Sequence, residues 1–173
     1  MKNLLVVGGT GFIGFHIIKK AKKKKFTISS ISLHYPKKHR LHKGVNYIKV
    51  DVTDLGSLKK KLKNISIDYV INAGGYGEHP DFGTEGIKLI KSHLYGTVNL
   101  LQIIKKKKIK KFIQIGSSAE YGKVKSPINE STKCLPNTPY AIAKISCTNI
   151  ILSLCRNKRF PATIFRLFQV YGP

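Results

Sequence analysis

Apolar residues occur along the chain in two patterns, as short unbroken runs and as residues spaced three or four positions apart. Short runs rich in Val, Ile and Phe are typical of buried β-strands, whereas the spaced pattern is typical of amphipathic helices. Unbroken runs predict six strands, at residues 4–7, 26–33, 47–50, 68–71, 112–116 and 162–168. Spaced runs predict helices after the first strand, near residues 54–62, across 84–105 and across 138–158.

The order of these elements predicts one α/β domain. Strands that alternate with helices form a doubly wound, parallel Rossmann-type sheet with helices on both faces. With 173 residues the chain can build one substantial core, and we assign residues 1–173 to a single domain. The core stripe predicted for the long helix is Ile87, Ile90, Leu94, Val98, Leu101 and Ile104. The stripe predicted for the last helix is Ala141, Ile145, Thr148, Leu152 and Cys155.

A glycine-rich turn joins the first strand to the first helix, with glycines at positions 8, 11 and 14. Such a turn offers free backbone N–H groups and the positive end of a helix dipole to an anion. Gly8 permits the tight turn, Gly11 lets the backbone approach a pyrophosphate, and Gly14 lets the helix pack closely on the strand. An ordinary glycine-rich β–α turn is the alternative. The position between a predicted strand and a predicted helix favours a dinucleotide site.

The net charge of +24 would by itself suggest nucleic acid or an anionic membrane as a partner. The lysines, however, come in blocks at 19–25, 59–63 and 105–111, each at or near the end of a predicted helix. Lysine is favourable there and is usually solvated. The blocks also lack the interleaved aromatic residues of nucleic-acid-binding surfaces. We therefore expect the lysines to form a solvated surface and the protein to have no specific nucleic acid partner. Weak, non-specific binding to polyanions at low salt is compatible with this expectation.

The cysteines and the apolar runs indicate a reduced intracellular protein. Cys134, Cys147 and Cys155 are odd in number and lack metal-like spacing, so neither a disulfide framework nor a metal site is expected. No apolar run reaches the length of a membrane span, and the glycine turn interrupts the first run too early for a signal peptide. The expectation is a cytoplasmic protein with no membrane partner.

Tyr140 and Lys144 are four residues apart and therefore share one face of a predicted helix. A tyrosine with an ordinary pKa near 10 is a poor base at neutral pH, and a nearby ammonium lowers that pKa. Ser117 ends the fifth strand, at the edge where doubly wound sheets bind ligands. Together the three residues could remove an alcohol proton as hydride leaves. A chance amphipathic Tyr-x-x-x-Lys pair is the alternative.

Five features of the sequence, in the expected order, resemble those of the extended branch of the short-chain dehydrogenase/reductase superfamily. The members of this branch are the NAD-dependent epimerase/dehydratase proteins, which act on nucleotide sugars. The features are the Gly8–Gly14 turn with its Gly-Phe-Ile-Gly ending, Asp51, Ser117–Gly122, the Tyr140/Lys144 pair, and Arg166 followed by Tyr171-Gly172-Pro173. The resemblance implies that Ser117 orients the substrate and that Tyr140 is the acid/base. It also implies that Lys144 binds the nicotinamide ribose and tunes Tyr140.

The resemblance further implies where an NAD(P) cofactor binds. Asp51 would accept a hydrogen bond from the adenine amino group, and small residues after the fourth strand would let backbone lie against the cofactor. The cofactor-binding residues expected are Gly8, Gly11, Phe12, Ile13, Gly14, Lys37, Asp51, Val52, Asn72, Ala73, Gly74, Tyr140 and Lys144. Lys37, Lys38 and Arg40 follow the second strand and no acidic residue does. NADP is therefore slightly favoured over NAD.

Departures from the family pattern narrow the function. Dehydratases of this family carry Asp-Glu directly after the catalytic hydroxyl residue, whereas this chain has Ser118-Ala119. The missing pair argues against dehydration and leaves epimerisation or 4-keto reduction of a nucleotide sugar as the expected reaction. Family members also continue past Tyr-Gly-Pro into a small substrate lobe that this chain lacks, so we expect it to bind the dinucleotide without turning over a sugar. His93 stands where the family usually has asparagine, and we assign it no role.

Two further expectations concern alternatives and partners. A non-catalytic NAD(P)-binding regulatory or structural protein on the same fold is the competing hypothesis. Such a protein would be expected to lose Tyr140 or Lys144, and both are present. A homodimer through the long helices at 84–105 and 138–158 is a further expectation.

Overall fold

A computed structural model describes residues 2–76 and 80–172 and contains one parallel sheet of six strands. The strand order is β3-β2-β1-β4-β5-β6. The strands are β1 (Asn3–Val7), β2 (Thr27–Ser32), β3 (Asn46–Lys49), β4 (Tyr69–Asn72), β5 (Lys111–Ser117) and β6 (Ala162–Leu167). The helices are α1 (Phe12–Lys23), α2 (Leu55–Leu62), α3 (Thr84–Ile90), α4 (Gly96–Ile104) and α5 (Pro139–Lys158). The predicted Rossmann-type fold is confirmed, and every predicted strand overlaps an observed one.

The strand order reverses between β1 and β4. The chain runs from β1 outward to β2 and β3 and then returns to β4 on the other side of β1. In doubly wound sheets a crevice opens at the carboxyl ends of the strands at such a reversal. The glycine turn leaves the end of β1 and therefore lies at this crevice.

The two faces of the sheet are covered unequally. One face packs against α2, α4 and α5 and holds the larger core, which includes the fully buried Leu5, Leu58, Leu100, Phe112 and Ile151. Among the described helices only α1 packs on the opposite face, through Ile18 and Ala21. Apolar side chains of β4 and β5 beside α1 line an open groove. Within the described residues, no helix has both the length and the apolar character needed to cross a bilayer.

The predicted helix at 84–105 is interrupted by a π-helical segment, Lys91–Tyr95, between α3 and α4. A π turn uses an extra residue and so rotates the faces of the helix on either side of it. Ile87 was predicted to be buried but is 53% exposed, whereas Leu89 and His93 are buried. The predicted stripe is therefore wrong before the π segment, although Leu101 and Ile104 are buried as expected.

Helix α5 carries the predicted catalytic pair at its start. Thr138 caps the helix by accepting a hydrogen bond from the Ala141 N–H at 3.1 Å, and Pro139 occupies the first turn. Its inward face differs in part from the predicted stripe, since Lys144 and Ile151 are buried whereas Ile145 and Leu152 are only partly so. Ala141 and Thr148 are buried as predicted.

Candidate cofactor cleft and catalytic residues

The glycine turn has the tight geometry that the sequence predicts. Gly8 adopts a φ of 75°, in the left-handed region that favours glycine. A Cβ on Gly14 would lie 2.2 Å from the Gly8 carbonyl oxygen, so only glycine lets α1 approach β1 this closely. No side chain caps the N-terminus of α1 and no acidic residue lies in its first turn. The backbone N–H groups at this end are thus directed at a site suited to an anion.

A cleft of about 530 Å³ opens at the strand reversal beside this turn. It is lined by Gly8, Thr10 and Gly11, by the ends of β2 and β3, and by residues 73–76 after β4. Asp51 and Val52 both line it, as predicted, and the Asp51 carboxylate accepts hydrogen bonds from the N–H and hydroxyl of Thr53, both at 2.8 Å. The cradle of small residues and backbone fits an adenosine diphosphate group.

A smaller cavity of about 330 Å³ adjoins the cleft at Thr10 and is rich in cations. Lys37, His39 and Arg40 line it. Arg40 donates a hydrogen bond to the Thr10 carbonyl at 3.4 Å and lies 5.8 Å from the Phe15 ring centre. Among the residues that line this cavity there is no carboxylate, which agrees with the predicted lack of an acidic residue after β2.

A second cleft, of about 710 Å³, shares residues 73–76 with the first. It is lined by Ile13 and by all three predicted catalytic residues, Ser117, Tyr140 and Lys144. Ser117 ends β5 and caps the following 3₁₀ turn, where its hydroxyl accepts from the Ala119 N–H at 3.2 Å. The side chains of Ser117 and Tyr140 are hydrogen-bonded to each other. The three residues predicted to be catalytic therefore line one cleft.

The ionisation of Tyr140 differs from the expectation. Burial raises the pKa of Tyr140, the hydrogen bond with Ser117 opposes the rise, and the Glu120 carboxylate adds to it. The prediction that Lys144 lowers this pKa is therefore not met, because desolvation dominates. Lys144 donates to the Ile115 carbonyl at 2.6 Å, and its ammonium lies 5.7 Å from the Tyr140 ring centre. Burial also lowers the pKa of Lys144.

Glu120 connects the segments that carry the predicted catalytic residues, and sequence reasoning assigned it no role. Its carboxylate is fully buried and accepts from the Ser117 N–H at 3.0 Å, the Thr148 hydroxyl at 2.9 Å and Arg166 Nε at 2.8 Å. Burial alone would lower the pKa of Arg166, but hydrogen bonds to Glu120 and Tyr121 raise it. One carboxylate thus ties together the end of β5, β6 and the helix that carries Tyr140. The sequence signal was Arg166 within the apolar run of β6, which needs a buried acidic partner.

His93 is the second residue that sequence reasoning missed. It lies in the π-helical segment, is buried, and packs edge-on against the Tyr140 ring with 5.5 Å between ring centres. Its Nε2 lies 3.0 Å from the Tyr76 carbonyl oxygen, so the neutral ring donates from Nε2. Burial and the Lys144 ammonium lower the pKa of His93 to about 4. The ring therefore joins the loop after β4 to the predicted acid/base as a neutral group.

Not every predicted cofactor residue lines a cleft. The Asn72 side chain is buried and donates to Gln114 Oε1 at 2.9 Å and to the Thr97 hydroxyl at 3.2 Å. It shapes the end of β4, while Ala73 and Gly74 line both clefts. Phe12 lies outside the cleft linings and packs against His16 with 5.0 Å between ring centres. Within the described residues no group of three or more His, Cys, Asp or Glu could hold a metal ion.

Comparison with known proteins identifies the family. The signature of the NAD dependent epimerase/dehydratase family matches residues 4–173. The chain belongs to this family. The sequence is 26% identical, over 98% of the chain, to a UDP-glucose 4-epimerase of Lactobacillus helveticus. It is also 26% identical, over the whole chain, to a dTDP-D-glucose 4,6-dehydratase of Dictyostelium discoideum.

Solved structures of epimerases share the fold. The UDP-glucose 4-epimerase of Thermotoga maritima matches 99% of the chain with a TM-score of 0.91 and 27% identity. The UDP-glucuronic acid 4-epimerase of Bacillus cereus, solved in complex with NAD, matches 99% with a TM-score of 0.83 and 27% identity. The chain spans 57% of each of these two proteins and 45% to 52% of the two sequence relatives. The similarity therefore covers about half of each relative.

Proposed function

We propose that this chain is the cofactor-binding part of an NAD(P)-dependent epimerase or 4-ketoreductase that acts on a nucleotide sugar. The observation that carries the proposal is the assembly of Ser117, Tyr140 and Lys144 in one cleft, which shares residues 73–76 with the glycine-turn cleft. Family membership and the nucleotide-sugar epimerases among the relatives support the substrate class. A dinucleotide would lie across both clefts, with its pyrophosphate at Gly11.

Tyr140 would hold or accept a proton at its hydroxyl, next to the reacting oxygen of the sugar. The cofactor, when bound, supplies the hydride acceptor or donor. Because burial raises its pKa, Tyr140 holds its proton at neutral pH and is suited to donating it to a sugar carbonyl during reduction. Ser117 would hydrogen-bond the same sugar oxygen and orient it. Lys144, fixed on the Ile115 carbonyl, would contact the nicotinamide ribose.

Elimination of water is not supported by the groups in this cleft. A 4,6-dehydratase needs a further acid and base next to the catalytic hydroxyl residue, and Ser118 and Ala119 occupy those positions here. Glu120 is the nearest carboxylate in sequence, but it is fully buried and ion-paired with Arg166. We therefore keep epimerisation or 4-keto reduction as the reaction.

The decisive experiment for Ser117, Tyr140 and Lys144 uses a form of the protein that is as long as its relatives. Tyr140→Phe should lower kcat by about 100-fold or more with little change in NAD(P) affinity, because the hydroxyl acts mainly in the transition state. Tyr121→Phe is the matched control, since Tyr121 is buried in the same region and bonds Arg166. Wild-type turnover by Tyr140→Phe would exclude Tyr140 as the acid/base. No turnover by the wild type itself would favour the non-catalytic dinucleotide-binding protein.

For the cofactor we propose a modest preference for NADP over NAD. Lys37, His39 and Arg40 line the cavity beside Thr10, where a 2′-phosphate would need cations. Calorimetry on the wild type should show tighter NADP⁺ than NAD⁺ binding. The double variant Lys37→Gln/Arg40→Gln should weaken NADP⁺ by about 10-fold or more and leave NAD⁺ nearly unchanged. Tighter NAD⁺ binding by the wild type would reverse the preference.

We also propose that residues 1–173 alone bind the dinucleotide but do not turn over a sugar. The named cofactor contacts lie between Gly8 and Lys144, whereas binding energy from a substrate lobe is needed to orient the reacting hydroxyl. Fluorescence titration with NADPH, run beside turnover on a panel of nucleotide sugars, tests both halves. Measurable turnover would refute the second half, and absence of nucleotide binding by a folded chain would refute the first.

A homodimer through the helices at 84–105 and 138–158 is a further proposal. Exposed Ile87 on α3 provides an apolar contact for a second copy. Sedimentation equilibrium should show a dimer that Ile87→Lys weakens, while Lys88→Gln beside it should leave the dimer intact. A wild-type monomer at tens of micromolar would contradict this proposal.

A further inference from the structure

The parallel sheet brings the lysine blocks, which are separate in sequence, to one edge of the molecule. All six strands begin at this edge and α1, α2, α4 and α5 end there, since each crossover helix runs antiparallel to the strands. Backbone hydrogen bonds join neighbouring segments along it, from Thr27 N to Lys2 O at 3.0 Å and from Lys110 N to Asp68 O at 2.7 Å. We call it the amino edge. Its cations are Lys2, Lys22, Lys23, Lys24, Lys25, Lys43, Lys61, Lys63, Lys105, Lys106, Lys107, Lys108, Lys110, Lys111, Lys158 and Arg159.

Negative charge is nearly absent from this edge. Of the carboxylates in the described residues, only Asp68 lies there, and it bonds the backbone N–H and side chain of Asn3 at 2.8 and 2.9 Å. Lys110 lies 3.9 Å from the same carboxylate. The others occupy the opposite half of the molecule, in or after the loops at the carboxyl ends of the strands: Asp51, Asp54, Asp81, Glu85, Glu120 and Glu130. The topology thus keeps carboxylates away from the amino edge, which carries 16 of the 32 lysine and arginine residues.

Helix capping does not account for the amino edge. Lysine in the last turn of a helix complements the helix dipole, and Lys22, Lys23 and Lys158 fit that role. Lys2, Lys43 and Lys110, however, precede strands and cap no helix, yet all three are exposed. The edge therefore carries more exposed positive charge than local helix stability requires.

We propose that the amino edge binds the surface of an anionic lipid bilayer, which would hold the cofactor cleft facing away from the membrane. Six strands about 4.8 Å apart make an edge about 24 Å long, broad enough to bring many lysines to one surface together. Nucleic acid fits less well. Helix N-termini, which contact phosphates, lie at the other edge. Of the exposed aromatics among the described residues, Tyr35, Tyr76 and Tyr95 line the cavities at the carboxyl ends of the strands. Phe82 lies in the loop before α3, Phe165 lies near the end of β6, and Phe168 and Tyr171 follow β6.

The sequence predicts a solvated lysine-rich surface and no membrane partner; the topology adds a surface that binds lipid without entering it. Each lysine near an anionic bilayer strengthens binding by roughly five-fold. The test compares flotation of residues 1–173 with vesicles of phosphatidylcholine alone and with 30% phosphatidylglycerol, at about 0.1 and 0.5 M salt, so that self-associated protein does not rise with the vesicles. Binding should need the anionic lipid and should be lost at the higher salt, where the Debye length is less than half as long.

Two triple variants of equal net charge distinguish the contribution of the amino edge to vesicle binding from that of the overall charge. Lys105→Gln/Lys106→Gln/Lys108→Gln removes exposed lysines of the amino edge and should weaken vesicle binding by about 100-fold. Lys123→Gln/Lys125→Gln/Lys133→Gln removes exposed lysines of the loop before α5 and should weaken it several-fold at most. Circular dichroism checks that both variants are folded. Equal weakening by both, or no binding of the wild type to anionic vesicles at 0.1 M salt, would overturn the proposal.

A competition experiment distinguishes nucleic acid from an anionic bilayer as the partner of the amino edge. A 20-base-pair DNA duplex should displace the protein from anionic vesicles only when its phosphates far exceed the accessible lipid headgroups. Displacement at equal phosphate would overturn the bilayer as partner and favour nucleic acid. None of these measurements requires catalysis, so they are independent of the proposed enzymatic function.

Discussion

At the scale of single residues, burial sets the ionisation of the candidate catalytic groups: it raises the pKa of Tyr140 and lowers the pKa of Lys144 and of His93. Tyr140, Lys144 and Ser117 could be predicted as candidates because helical spacing and strand ends are visible in the sequence. His93 could not be found, because its burial depends on the π-helical segment that turns it toward Tyr140. The raised pKa of Tyr140 was likewise hidden, since desolvation depends on tertiary packing.

The burial of His93 predicts a specific loss of stability in mild acid. Unfolded His93 binds a proton below pH 6.5, whereas folded His93 binds one only below about 4. The unfolded state therefore holds more protons in this window, and the free energy of unfolding falls as pH drops from 6.5 to 4. The difference in pKa corresponds to about 3 kcal/mol. Urea unfolding at pH 7, 5.5 and 4.5 measures it.

The matched variant for this prediction is His93→Gln, which removes the titrating ring and keeps a donor for the Tyr76 carbonyl. Its stability at pH 7 will be lower, but its loss between pH 7 and 4.5 should be smaller than that of the wild type by about 2–3 kcal/mol. His39→Gln, at an exposed position, should keep the wild-type slope. Equal slopes for the wild type and His93→Gln would contradict the assigned burial.

At the scale of elements, strands were easier to predict than the faces of helices. Unbroken apolar runs located all six strands, most clearly β1, whose residues Leu4 to Val7 are buried on both faces of the sheet. The long helix was located correctly, but its core face before residue 91 was not. A periodicity of 3.6 residues cannot anticipate a π turn, so the predicted stripe included Ile87, which is 53% exposed, and did not include Leu89, which is buried.

Glu120 should be the most costly carboxylate to neutralise, because it joins three elements within the core. Glu120→Gln leaves Arg166 without its ionic partner in a largely buried position, which costs about 3–5 kcal/mol. Glu85→Gln is the control, since the Glu85–Lys88 pair has side chains 67% exposed and should contribute less than about 1 kcal/mol. Urea denaturation of both variants measures the difference. Comparable losses would show that the buried network contributes no more than a surface pair.

At the scale of the whole molecule, the order of elements determined the fold class, and the fold then placed the cofactor cleft. Right-handed crossovers and the reversal at β1 put every predicted cofactor segment at the carboxyl edge. The sequence could not show that the same rule collects the lysine blocks at the amino edge. It also could not show how much of the sheet the helices leave uncovered, because coverage depends on which side each crossover takes.

The face of the sheet beside α1 provides the last prediction. Apolar side chains of β4, β5 and β6 on this face, among them Ile71, Ile113 and Phe165, have only α1 to cover them among the described helices, and Phe165 is 48% exposed. The net charge of +24 opposes association through this face at low salt. At about 0.5 M salt, where the Debye length falls to about 4 Å, residues 1–173 should form concentration-dependent aggregates larger than a dimer.

Phe165→Lys should suppress this association and reduce binding of the apolar dye ANS, while changing the free energy of unfolding by less than about 1 kcal/mol, because Phe165 is already half exposed. Phe82→Lys makes the same chemical change at a 65% exposed position in the loop before α3 and should leave association unchanged. Sedimentation velocity of the three proteins at several concentrations gives the comparison. If Phe82→Lys suppresses association as strongly as Phe165→Lys, added charge and not the uncovered face controls it. If the wild type stays dispersed at every concentration, α1 and the sheet edge protect the face better than their packing indicates.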